Sequence, residues 1–145
     1  MTTLTQLLCP FGIFPHWRGD QLIDKESGLS LKKSIYSKLF HRLKPIPIFS
    51  NGHADDISDD PSYLKQSTVG FVKELFMDDQ NGIIVKCEYD YTGIEMIKHF
   101  HYSMSPRWKV ERLIINHQIF YRPIKLYSIG LTLKPNIEVS GKILC

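Results

Sequence analysis

Residues 67–91 read STVGFVKELFMDDQNGIIVKCEYDY, two extended segments on either side of Asp78-Asp79-Gln80-Asn81-Gly82. Both segments are rich in β-branched and aromatic residues. An Asn-Gly pair between such segments favours the left-handed backbone of a tight turn, so the stretch predicts a β-hairpin. Upstream, IPIFSNGH (46–53) reads as a short buried strand ending at a Ser-Asn-Gly turn. Downstream, Thr92 is a candidate cap for a short helix, GIEMIKHF (93–100). RWKVERLIINHQIFYRPI (107–124) then predicts a second hairpin turning near Asn116-His117, and KLYSIGLTL (125–133) a last extended piece before Lys134-Pro135-Asn136. In front of these, Ser30 is positioned to cap a helix from Leu31 to Leu43, with Leu31, Ile35, Tyr36, Leu39 and Phe40 at helical spacing. Lys44-Pro45-Ile46-Pro47 stops it, because proline lacks the amide donor and disfavours helical geometry in its predecessor.

Pro10, Gly12, Pro15 and Gly19 are too closely spaced for a long helix, so residues 1–30 are expected to be an irregular N-terminal segment preceding a single domain over 31–145. Short strands joined by local turns, with two helices, predict a mainly β fold: an antiparallel β-barrel surrounded by short helices. Periodicity alone is equally compatible with a sandwich.

A chain of 145 residues fits one domain with one core. The net charge of +3 is too mild to imply nucleic-acid binding. No apolar run approaches the roughly 20 residues of a membrane span. The N-terminus lacks a basic start before its apolar stretch and makes a poor signal peptide. Cys9, Cys87 and Cys145 are far apart with no CxxC pair, which argues against a disulfide framework or a zinc site and favours a reducing compartment. The acidic run ADDISDDPSYLKQ (54–66) lacks calcium-loop spacing and reads as a solvated loop. No metal and no cofactor are expected.

Chemistry is concentrated in HFHYSMSPRWKV (99–110). A serine hydroxyl is a weak nucleophile at neutral pH and needs a base, usually histidine, together with donors for the developing oxyanion. The histidines are 16, 41, 53, 99, 101 and 117. His41 lies among Lys38, Arg42 and Lys44 and reads as surface, and His117 falls in a turn. His99 and His101 share a face if their stretch is extended, and His16 lies in the irregular segment. His53 follows an apolar strand and a glycine, where its ring can be held rigidly. Ser103 and Ser105 would share a strand face, with Pro106 pinning Ser105 in extended geometry. Arg107 is a candidate oxyanion or substrate contact.

The chain resembles the Mu-type phage I proteins, the prohead proteases and scaffolds of Mu-like phages and prophages. The resemblance rests on NGH at 51–53, VGFVKEL at 69–75, NGIIVKCEYDYTGIEMI at 81–97, YSMSP at 102–106 and LYSIGLTLKPNI at 126–137. It covers about residues 46–137. That family is distantly similar to the herpesvirus maturation protease (assemblin), a β-barrel ringed by helices. The resemblance implies a serine endopeptidase with Ser105 as nucleophile and His53 as base, processing phage scaffold and major capsid proteins, and itself, inside the prohead in the host cytoplasm. It implies neither nucleic-acid nor membrane partners and is compatible with a homodimer. Ser128 stands where the herpesvirus enzyme has its third catalytic histidine and many tailed-phage relatives an acidic residue. The resemblance implies Ser128 as the orienting group, with His101, Asp55 or Asp56 as alternatives. A member whose site has decayed, serving as a scaffold or assembly domain, is the competing expectation.

Overall fold

The computed structural model describes residues 1–37, 42–43, 46–50 and 67–144. Its elements in chain order are β1 (Thr2–Cys9), β2 (Gly12–Phe14), β3 (Gln21–Ile23), α1 (Lys25–Ser34), β4 (Tyr36–Ser37), β5 (Arg42–Leu43), β6 (Ile46–Phe49), β7 (Thr68–Asp78), β8 (Gly82–Tyr89), α2 (Tyr91–Lys98), β9 (Ser103–Ile115) and β10 (Gln118–Thr132). The protein is mainly β, built on one curled sheet in the form of a half-barrel.

The β7–β8 hairpin forms as its sequence predicts, with Asp78 paired to Gly82 across a three-residue turn. The Asp78 carboxylate holds that turn by accepting hydrogen bonds from the Asn81 amide N–H and side chain. Gly82 has φ +110°, and a Cβ there would lie 2.6 Å from the Cys9 carbonyl oxygen. Only glycine suits both the backbone and the approach of β1. The second hairpin also forms, with Asn116 (φ 52°) and His117 (φ 66°) in left-handed geometry between β9 and β10.

Sheet order is β1-β8-β7-β6-β10, with β9 along one side of β10 and β3 followed by β2 on the side that β6 also uses. Of the segments 46–49, 68–77, 82–89 and 126–133, expected in one barrel, all but Leu133 lie in one sheet, which curls into a half-barrel. The expectation of a purely antiparallel arrangement is corrected: β10 pairs in parallel with both β6 and β3. Its length allows this, because the C-terminal half takes β6 at Ile129 and Gly130 while the N-terminal half takes β3 at Tyr121.

The N-terminal 30 residues are not irregular. Thr2–Cys9 runs antiparallel to β8, and its second half is fully buried. The prolines and glycines that suggested irregularity punctuate the segments after it. The first helix starts six residues earlier than its apolar periodicity predicts. Asp24, rather than Ser30, caps it: its carboxylate accepts the Ser27 amide at 2.9 Å, and the Ser27 hydroxyl oxygen accepts the Asp24 amide at 3.1 Å, a reciprocal capping box. Glu26 in its first turn and Lys32 and Lys33 in its last complement the helix dipole. It ends at Ile35, and Tyr36–Ser37 pairs with Arg42–Leu43 instead of continuing the helix. The second helix is capped by Asp90, not Thr92, with the Asp90 carboxylate accepting the Gly93 amide at 2.9 Å.

The core gathers Leu8, Ile23, Leu31, Ile48, Leu75, Val85, Ile129 and Leu131, all essentially inaccessible to solvent. At one end, residues 137–144 run between the two sheet edges. Gly141 N–H donates to Leu7 O (2.7 Å), Leu7 N–H to Lys142 O (2.8 Å), and Met104 N–H to Ser140 O (3.1 Å). This segment thus ties β1 to the start of β9, immediately before Ser105. No described helix is long and apolar enough to cross a membrane.

Candidate functional site

From Ser103 to Arg107, β9 pairs without interruption with β10, so that Ser105 faces Gly130 and Arg107 faces Ser128; the register shifts just beyond, between Leu126 and Ser128. Paired and i, i+2 residues of a ladder share a face, so Ser105, Arg107, Ser128 and Gly130 lie on one side. Ile129, Leu131 and Met104 alternate to the other side, and all three are buried in the core. Gly130 also pairs with Phe49 at the end of β6. One row across three strands therefore runs Phe49, Gly130, Ser105. His53 itself, like His41, Asp55, Asp56 and the acidic stretch 54–66, lies outside the described residues.

Ser105 lines a cleft of about 480 Å³ between β9 and the loop joining β2 to β3. One wall is Ser105-Pro106-Arg107-Trp108 with Val110; the other is His16-Trp17-Arg18-Gly19 with Gln21, and Tyr121 completes the lining. A smaller hollow of about 60 Å³ adjoins it, again lined by His16 and Ser105 and reaching Ser140. Ser103 lines neither space. Both tryptophans of the chain, Trp17 and Trp108, face the cleft. Gly19 (φ +130°) brings the loop against Tyr121, where a Cβ would lie 2.4 Å from the ring.

Ser128 is completely buried. The Arg107 guanidinium sits over the Tyr127 ring, 4.9 Å from its centroid, while its residue also lines the cleft. Of the remaining histidines, His99 ends α2 and pairs through Nδ1 with the Glu95 carboxylate at the surface. His101 is exposed with φ 55°, so the expected shared strand face of His99 and His101 does not form. Neither lines the Ser105 cleft. No described group of three or more His, Cys, Asp or Glu side chains is arranged to hold a metal.

No protein-family model matches the chain, and no curated protein or solved structure matches it.

His16 is the cleft residue whose place sequence reasoning missed. Its neighbouring prolines and glycines point to an irregular segment, whereas the β2–β3 hairpin and the pairing of Gln21 with Tyr121 carry it to β9. The legible signal was the composition of the turn: Pro15-His16-Trp17-Arg18-Gly19 holds a histidine, an arginine and one of only two tryptophans. Burial pushes the thiols of Cys9 and Cys87 upward, Cys87 to about 12, so both stay protonated and unreactive.

Proposed function

We propose that this chain is a serine endopeptidase of the prohead-maturation type, with Ser105 as nucleophile and His53 as general base. It would process phage scaffold and capsid proteins, and itself, within the assembling prohead, as the sequence resemblance implies. The observation that carries the reading is the position of Ser105: of the two serines in Ser103-Met104-Ser105, it is the one that lines the cleft of about 480 Å³. Further support comes from the row Phe49, Gly130, Ser105, since β6 leads directly into the segment that contains His53. The curled sheet, with residues 137–144 laid between its edges, is compatible with an assemblin-like barrel.

In this reading Ser128, buried and paired with Arg107 on the ladder, orients the base. A hydroxyl can accept a hydrogen bond from imidazole but brings no charge to stabilise imidazolium. The expected enzyme is therefore slower than one with a charged orienter, which suits action on tethered substrate at high effective concentration. Arg107 contributes to substrate or oxyanion contact.

The test is cleavage of a co-expressed scaffold, or of a longer precursor, by variants checked for folding. Ser105→Ala and His53→Ala should each lower the rate by about 10⁴-fold or more, and the double variant should be little worse than either, because nucleophile and base act as a unit. A wild-type chain that never cleaves in an assembling particle would turn the reading to a non-enzymatic scaffold domain.

A further inference from the structure

The His16 ring is fixed within its loop. Gly19 N–H closes a turn onto the His16 carbonyl at 2.9 Å, and inside that turn the Arg18 N–H donates to His16 Nδ1 at 3.2 Å. A neutral imidazole has one acceptor nitrogen and one donor. With Nδ1 accepting, Nε2 carries the hydrogen. The ring stacks on Trp17 with centroids 5.7 Å apart, and Arg18 covers Trp17 at 4.4 Å. Asn136 Nδ2 donates to the Pro15 carbonyl at 3.2 Å and ties the loop to the segment after β10. Partial burial, and then the Arg18 charge, hold the His16 pKa below its ordinary value, so the ring is neutral at pH 7. His16 and Ser105 line both the cleft and the hollow beside it.

We propose that His16 is a substrate-contacting residue of the Ser105 cleft, its Nε2–H donating to the carbonyl oxygen of the peptide bond under attack. The inference rests on the hydrolase reading of Ser105. As the Ser105 Oγ–C bond forms, the hydroxyl proton passes to the general base and the carbonyl π pair moves onto oxygen. His16 meets the charge that develops there. On collapse the oxygen pair re-forms the carbonyl, the C–N bond breaks, and the amine leaves with the proton returned by the base. A neutral donor already held by its own turn needs no rearrangement at that moment, which is where fixed dipoles are most effective.

Glutamine and asparagine separate the two nitrogens. A glutamine amide reaches as far as Nε2 and can donate; an asparagine carbonyl can accept the Arg18 N–H in place of Nδ1 but falls short of the substrate. The experiment treats the full chain with a fluorophosphonate, whose P=O oxygen takes the oxyanion's place as fluoride leaves, and follows the rate of mass gain at Ser105. Wild type, His16→Gln, His16→Asn, His16→Ala and Ser105→Ala are compared, each with a thermal melt. His16→Gln should stay within about 10-fold of wild type, while His16→Asn and His16→Ala should fall roughly 10²-fold. If the alanine variant loses its fold, the Gln and Asn pair decides. Equal rates in all three His16 variants would overturn the inference alone. So would retention by Asn with loss by Gln, which would make His16 a turn-holding residue. Equal loss in all three would make the imidazole itself indispensable and overturn the donor role. Wild type unlabelled at Ser105 would sink the hydrolase reading and this inference with it.

Discussion

Ser103 and Ser105 are two positions apart on β9, yet only Ser105 lines the cleft. On the proposed protease reading, Ser103→Ala should therefore keep the wild-type cleavage rate, and substrate processing followed by gel or mass spectrometry checks it. Loss of cleavage in Ser103→Ala with retention in Ser105→Ala would reverse the assignment. On the same reading Ser128→Ala should give an intermediate loss, on the order of 10-fold to 10²-fold, because a neutral orienter would contribute less than a charged one. Its burial means that the variant also needs a melt to separate lost orientation from lost stability. At this scale the strand that follows Ser103 was legible from its extended patterning up to the Asn116-His117 turn. The other wall was not. His16 and Ser105 are brought together by a parallel contact between β3 and β10, and no local pattern encodes a pairing across that many residues.

Helix starts and turns were legible where the deciding hydrogen bonds are local, and misplaced where apolar spacing was trusted over capping. The Asn81-Gly82 and Asn116-His117 turns fell where their residues predicted them. The first helix did not, because Asp24 and Ser27 cap each other and start it ahead of the apolar stripe. Asp24 also receives Arg122 at 2.7 Å, joining the helix start to β10. Burial alone would raise the Asp24 pKa, but hydrogen bonds from Arg122 and Ser27 outweigh it and the net shift is downward. A carboxylate with a depressed folded pKa stabilises fully above its unfolded value, near 4, and loses that contribution as pH falls through the folded value. Asp24→Ala should cost about 2 kcal/mol at pH 7, and the gap in urea midpoint between it and wild type should narrow below about pH 4. A gap that stays constant to pH 2 would deny the carboxylate this role. In the same way Gly82→Ala, which combines a left-handed backbone with contact against β1, should destabilise by roughly 2 kcal/mol or more by urea denaturation.

Across the whole molecule, the segment 137–144 does what strand patterning did not foretell: it connects the β1 edge to the strand that carries Ser105. Its anchor is a buried polar chain. Tyr89 Oη donates to Gln6 Oε1 at 2.5 Å, and Gln6 Nε2 donates to the Gly141 carbonyl at 2.9 Å. Burial pushes the Tyr89 phenol well above its usual pKa, so it is a donor at neutral pH. The bulge in β1 at Leu8 frees a carbonyl from the ladder, and the Ser140 hydroxyl donates to it. Gln6→Leu keeps the volume but leaves the Tyr89 hydroxyl and the Gly141 carbonyl buried without Gln6. Such a group costs about 1–3 kcal/mol; Tyr89 also bonds with the Cys87 thiol, so the Gly141 carbonyl dominates and a loss of roughly 1–3 kcal/mol is expected. The loss should also have a direction. Amide protons of Leu7, Gly141, Leu144 and Met104, which bond across this segment, should exchange faster together, while those of the β7–β8 hairpin should slow or hold relative to them. Because Met104 precedes Ser105, loosening there should reach the cleft as a lower rate of Ser105 modification. Hydrogen exchange that speeds uniformly over the whole sheet would mean that the segment is one with the global fold and holds no separate grip on the site.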